Sequence, residues 1–231
     1  MTVSLILPCY NPPQGWEQVI CSNYAAFTAR IQQPVELILV MDGDTHDNSA
    51  ALQYLNSEIA GIVIVQYAEN RGKGYALRRG VEAATGDVLL YTDVDFPYTQ
   101  DSLCEVYQAL AEHVADVAAG VKNDSYYEHV PAVRRTISKY LRWLIRVFLS
   151  MPVTDTQCGL KGFKKEVKPL FLQTTIDRYL FDLEFIRNCF RGKQFRVKAI
   201  PVALNDNVHF RSMNYRILLP EMFNFVRLLF K

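Results

Sequence analysis

The sequence of 231 residues lacks the marks of several common protein classes. Its five cysteines (Cys9, Cys21, Cys104, Cys158 and Cys189) are scattered, odd in number and never spaced as Cys-x-x-Cys. That argues against a disulfide framework and against a zinc site, and it fits a reducing compartment. Long hydrophobic runs are missing too: no stretch approaches the ~18 apolar residues of a membrane-crossing helix. The opening MTVSLILPCYNPP has too short an apolar run for a signal peptide and no basic lead-in. A protein that is soluble, or that lies on a membrane surface, is expected. Net charge is only +1, which gives no global attraction to nucleic acid, and no nucleic-acid partner is expected. Neither GxxxxGK[ST] nor a GxGxxG after the first apolar run is present, so Walker and dinucleotide loops are set aside. Repeats and low-complexity linkers are absent, and residues 1–231 are expected to form a single domain.

What is present is an alternation. Short apolar runs at Val3–Leu7, Val35–Met41, Ile62–Gln66, Val88–Thr92 and Val117–Val121 read as strands. Helical stretches near Trp16–Ile31, Asn48–Ser57, Lys73–Ala84 and Asp101–His113 separate them. Strands that are nearly all apolar suit a mostly parallel sheet covered on both faces, hence a doubly wound α/β fold. In such folds ligands bind beyond the carboxyl ends of the strands. Polar or glycine-rich turns occur at four consecutive ends: Pro8-Cys9-Tyr10-Asn11, Asp42-Gly43-Asp44, Glu69-Asn70-Arg71-Gly72-Lys73-Gly74 and Asp93-Val94-Asp95. Each alone is an ordinary turn. Together they describe one rim.

The pair Asp93 and Asp95 places two carboxylates at i and i+2, a donor set suited to Mg²⁺ or Mn²⁺ beside phosphate oxygens. The segment Asn70–Gly74 could offer backbone N–H groups and a lysine to an anion at a helix start. Further on, residues 129–154 carry no acidic side chain. Ile137, Tyr140, Leu141, Leu144, Ile145 and Phe148 recur there at helical spacing, opposite a stripe of Arg135, Lys139, Arg142 and Arg146. Residues 130–151 and 213–231 are read as amphipathic helices. They either pack on the sheet with their cations in water or lie on an anionic membrane surface.

Five segments carry a family resemblance: ILPCYNP (6–12), LVMDGDTHDNS (39–49), ENRGKGYALRRGVEAATGDVLLYTDVD (69–95), VTDTQCGLKGF (153–163) and RYLFDLE (178–184). In this order they resemble family 2 glycosyltransferases of the GT-A fold, in the branch of dolichyl-phosphate or polyprenyl-phosphate glucosyl- and mannosyltransferases. The last two segments look closer to the glucosyl branch. The resemblance implies that Pro8, Tyr10, Asn11 and Asp42 frame the nucleotide, with Asn70 and Lys73 near its phosphates. It implies that Asp93 faces the ribose and metal and that Asp95 holds the Mg²⁺ or Mn²⁺ ion, with His209 as an added ligand. Lys122, Arg134 and Ser138 match acceptor-phosphate positions, with Arg211 and Arg216 on the same side. Asp155, Gln157, Asp182 and Glu184 would line the sugar and reaction centre.

The implied reaction is an inverting hexosyl transfer, glucose and UDP favoured, to a polyprenyl phosphate at the cytoplasmic face of a membrane. A lipid phosphate is already ionised at neutral pH and needs no strong base, whereas an alcohol acceptor would need Asp182 or Glu184 as one. Three positions depart from the family pattern. Met41 replaces the first aspartate of Asp-Asp-Gly, Pro12 replaces a glutamate, and Pro97 stands where some mannosyl relatives offer a metal-binding glutamine. A family 2 enzyme acting on a saccharide or lipid hydroxyl, and a silent nucleotide-sugar-binding protein, remain the alternatives.

Overall fold

A computed structural model describes residues 1–122, 132–149, 151, 155–205 and 218–230. The five expected strands are present as β1 (Val3–Cys9), β2 (Val35–Asp42), β3 (Val63–Tyr67), β4 (Val88–Tyr91) and β5 (Val117–Lys122). The four expected helices are α1 (Trp16–Ile31), α2 (Ser49–Glu58), α3 (Lys73–Ala83) and α4 (Gln100–Ala111). Beyond them the chain forms α5 (Ala132–Leu149), β6 (Lys161–Lys164), α6 (Lys168–Leu172), α7 (Phe181–Gly192), β7 (Val197–Val202) and α8 (Leu218–Phe230).

One seven-stranded sheet has the order β3-β2-β1-β4-β6-β5-β7. Every pairing is parallel except those of β6, which runs antiparallel between β4 and β5. Alternation along β1 sends Val3, Leu5 and Leu7 to one face, against Trp16, Ile20 and Phe27 of α1 and Leu103 and Leu110 of α4. Ile6 points to the other face, with Leu77 and Val81 of α3 and Phe181 and Phe185 of α7. There Phe163 stacks on Phe171 at 5.1 Å between ring centroids, and Phe171 meets Phe185 edge-on at 4.8 Å. Both faces of the sheet are therefore covered, which is why β1 to β5 are mostly apolar.

Helices α5 and α8 fall within the two stretches read as amphipathic helices; residues 130, 131, 150, 213–217 and 231 lie outside the described residues. The apolar stripe expected on α5 divides. Ile145 is buried in the core, but Tyr140 is 60% and Phe148 55% exposed.

Candidate active site

The rim begins at the ends of β1 and β2. Asn11, held at a positive φ of 44°, turns its Oδ1 to accept from the N–H and the hydroxyl of Thr45, both at 3.0 Å. Its own N–H donates to Asp44 Oδ1 at 2.5 Å, so the turns after β1 and β2 are locked together. Burial, above all, raises the Asp44 carboxyl from its usual range. Alongside, a cleft of about 510 Å³ is lined by Met41, Asp44, Leu52 and Tyr67 among others. Tyr10 is exposed and Pro8 half-buried on the same rim.

Asp42 is buried and heavily engaged. Its Oδ1 accepts the Arg71 N–H at 2.8 Å, and its Oδ2 accepts the Gly72 N–H and Asn70 Nδ2, each at 2.9 Å. One turn later the N–H groups of Gly74 and Tyr75 donate to the carbonyl of Asp177, at 2.7 and 3.3 Å. The reading of Asn70–Gly74 as an anion cradle is therefore corrected. Three of its backbone N–H groups, those of Arg71, Gly72 and Gly74, are satisfied within the chain, and the anion at this helix start is Asp42 itself. The glycines serve a close approach instead. A Cβ on Gly74 would stand 2.5 Å from the Ile176 carbonyl oxygen, and one on Gly72 2.6 Å from that of Asp177.

What the loop does offer is the side chain of Lys73, the first residue of α3, which pairs with Asp93 Oδ1. Burial pulls its pKa down, but the charges of Asp93, Asp182 and Asp95 outweigh that and raise it. Asp93 and Asp95 belong to a tight turn after β4 in which the Phe96 N–H donates to the Asp93 carbonyl at 3.0 Å. Phe96, at φ 44°, buries its ring, and Asp95 is left exposed at the corner. Opposite stands Gly159, whose N–H donates to the Tyr98 hydroxyl at 2.7 Å. A Cβ there would stand 2.4 Å from Asp93 Oδ2. Asn205 Nδ2 bridges the carbonyls of Phe96 and Tyr98, so the chain after β7 returns to this turn.

Asp182 and Glu184 open α7, but neither is solvated as acids at a helix start commonly are; both are buried. Asp182 Oδ1 takes the Tyr91 hydroxyl at 2.5 Å and the ammonium of Lys161, wholly buried on β6, at 2.8 Å. Lying two residues apart on a helix, Glu184 faces elsewhere. It accepts the N–H groups of Thr175 and Ile176 at 2.7 and 2.9 Å and the Thr175 hydroxyl at 3.0 Å. It thus braces the 174–177 loop that holds the start of α3.

At the end of β5, Asp155 accepts the Lys122 N–H at 2.9 Å, and Lys122 Nζ reaches the Gln157 carbonyl at 3.4 Å. Gln157 Nε2 is buried with no hydrogen-bond partner among the described residues. Only Cys158 separates Gln157 from Gly159, which brings this group beside Asp93. Arg134 and Ser138 fall on α5 with side chains outside the described residues, as do His209, Arg211 and Arg216 entirely. Sequence reasoning missed Lys161, Tyr91, Tyr98 and Gly159. The one signal was a lysine embedded in the apolar run CGLKGF.

Among the described residues no helix is long and apolar enough to cross a membrane. On α5, Tyr140 stacks on Trp143 at 5.8 Å and both are more than half exposed, next to exposed Lys139 and Arg146. On α8, Met222, Phe223, Val226 and Phe230 are exposed.

Residues 4–169 match the profile of Glycosyl transferase family 2. The chain is 28% identical over 202 residues to a dolichyl-phosphate beta-glucosyltransferase of Drosophila melanogaster, covering 80% of this chain and 62% of that one. It is 28% identical over 204 residues to glycosyltransferase AglD of Haloferax volcanii, covering 87% of this chain and 32% of the relative. The chain therefore spans less than two thirds of the length of either relative. Glucosyl-3-phosphoglycerate synthase from Mycobacterium tuberculosis, solved with Mn²⁺, UDP and glucosyl-3-phosphoglycerate, shares the fold, GT-A. The TM-score is 0.62 at 18% identity, over 94% of this chain and 74% of that one.

Proposed function

The chain belongs to glycosyl transferase family 2, and on that footing we propose that it moves a hexose from a nucleoside diphosphate sugar to a polyprenyl phosphate. Glucose and UDP are the favoured donor parts, the site is the cytoplasmic face of a membrane, and residues 1–231 act as a single domain. The observation that carries the reading is the ion pair of Lys73 with Asp93 at the carboxyl ends of the sheet, with Asp182 and Asp95 near enough for their charges to raise the lysine's pKa. The name of the Drosophila relative supports the acceptor class.

Lys73 is the cation for the diphosphate. Pro8, Tyr10 and Asn11 frame the nucleotide, and Asp42 with Asn70 shapes that wall by holding the loop before α3. Asp93, held by Lys73, is assigned to the ribose. The oxygen donors suit Mg²⁺ or Mn²⁺, which take one or two protein carboxylates and fill their remaining positions from phosphate and water. Asp95, exposed on its turn, is the assigned protein ligand, with His209 as a second. When bound, the ion stabilises negative charge growing on the departing diphosphate.

The engagement of the acids favours a phosphate acceptor over a hydroxyl. Asp155, Asp182 and Glu184 are each held by donors from the chain, so none is disposed as a general base. An ionised phosphate needs none. Asp182 and Gln157 face the donor sugar, and Lys122 heads an acceptor-phosphate site with Arg134, Ser138, Arg211 and Arg216. The exposed aromatic and basic residues of α5 and α8 suit a peripheral position on an anionic bilayer. Transfer of radiolabelled hexose from UDP-glucose, with polyprenyl phosphate or a saccharide as acceptor, tests the reading. Label in the lipid-extractable fraction is expected, and label only on the saccharide would refute it.

A further inference from the structure

Lys161 has no part in the reading above, yet it is the most unusual charge in the molecule. Its side chain is fully buried, whereas lysine almost never is unless paired. It lies on β6, directly across the ladder from Tyr91 of β4. Cross-strand partners share a face, so both side chains rise toward the first turn of α7. The Lys161 ammonium donates to Asp182 Oδ1 at 2.8 Å and to the Cys158 carbonyl, and it sits 5.7 Å from the centroid of the Tyr91 ring. The Tyr91 hydroxyl donates to the same Oδ1 at 2.5 Å. Oδ2 of Asp182 accepts no hydrogen bond among the described residues. Two donors from adjacent strands thus converge on one carboxylate oxygen. Burying such an ion pair is seldom a gain over apolar packing, so stability alone does not account for it.

We propose that Lys161 is a positioning residue that, with Tyr91, fixes Asp182 through Oδ1 and presents Oδ2 to a hydroxyl of the donor sugar. The inference rests on the donor site proposed above and adds a residue behind it. The pair also anchors β6, and with it Gly159, against Asp93.

The test compares Lys161→Met, Lys161→Arg, Asp182→Asn and the Lys161→Met/Asp182→Asn double variant. The readouts are calorimetric binding of UDP and of UDP-glucose, and transfer kinetics. Lys161→Met is expected to bind UDP as the wild type does but to weaken UDP-glucose about tenfold and lower kcat/KM about a hundredfold. Lys161→Arg should recover a large part of that loss, and the double variant should be no worse than Asp182→Asn. Equal weakening of UDP and UDP-glucose, or losses that multiply in the double variant, would overturn the inference. If Lys161→Met does not fold, Tyr91→Phe replaces it, with the same non-additivity expected. A wild type that binds UDP-glucose but glycosylates no polyprenyl phosphate would refute the acceptor reading alone, and the binding comparison would still decide the role of Lys161. A wild type that does not bind UDP-glucose overturns both.

Discussion

The carboxylate of Asp42, at the end of β2, accepts the N–H of Gly72 at 2.9 Å and so caps α3 from another strand. The Arg71 N–H and Asn70 Nδ2 complete the set. Asp42→Ala leaves the Gly72 and Arg71 N–H groups without their acceptor, while Asn70 Nδ2 keeps the residue 42 carbonyl at 3.1 Å, and a loss of about 2–3 kcal/mol is expected. For a chain of this length that lowers the melting temperature by roughly 4–12 °C. A thermal melt checks it.

Glu184 is expected to matter through the 174–177 loop. Glu184→Ala removes the acceptor of the Thr175 and Ile176 N–H groups and should destabilise by about 3 kcal/mol. Glu184→Gln keeps one acceptor oxygen and should retain kcat within about tenfold once its stability is matched. A loss of a thousandfold at an unchanged melting temperature would instead make Glu184 a catalytic acid or base.

Asp116 ties three strands together. It accepts from Arg196 N–H and Nε at 2.9 and 3.2 Å and from Lys164 at 3.1 Å, and these bonds outweigh burial and hold its carboxyl far below the usual range. A depressed folded pKa means stability that is present above the unfolded value, about 3.9, and lost as pH falls through the folded one. Asp116→Asn should therefore cost about 1–3 kcal/mol in urea unfolding at pH 7, and the difference from wild type should shrink as the pH falls below about 4.

Membrane contact has its own test. Wild type should sediment with vesicles containing anionic lipid at low salt and lose binding as salt rises. Replacing Trp143 and Phe148 with alanine should weaken binding at least about tenfold, because both present more than half their surface to solvent. Failure to bind at every salt concentration would refute the peripheral position.

The first five strands and four helices were legible because each is a local apolar run bounded by turn residues. Even their ends moved little: β1 continues to Cys9 because Pro8 and Cys9 pair with Val40 and Met41 of β2. β6 was not legible. Four residues long with a lysine at each end, it resembles a solvated turn until Tyr91 and Asp182 are placed beside it. The close approaches of Gly72 and Gly74 were not legible, since the carbonyls of Asp177 and Ile176 that they face lie far along the chain. Asp93 and Asp95 were identified from spacing and motif order, whereas their pairing with Lys73 and packing against Gly159 needed the fold.

Lys73, Asp93, Asp95 and Asp182 are proposed to form one metal-assisted donor site. Titration calorimetry of UDP-glucose with and without Mn²⁺, on wild type and Asp95→Ala, is the decisive measurement. Metal-dependent binding is expected, falling at least about tenfold in Asp95→Ala if that carboxylate holds the ion. Binding of equal strength without metal, unchanged in Asp95→Ala, would contradict the proposal.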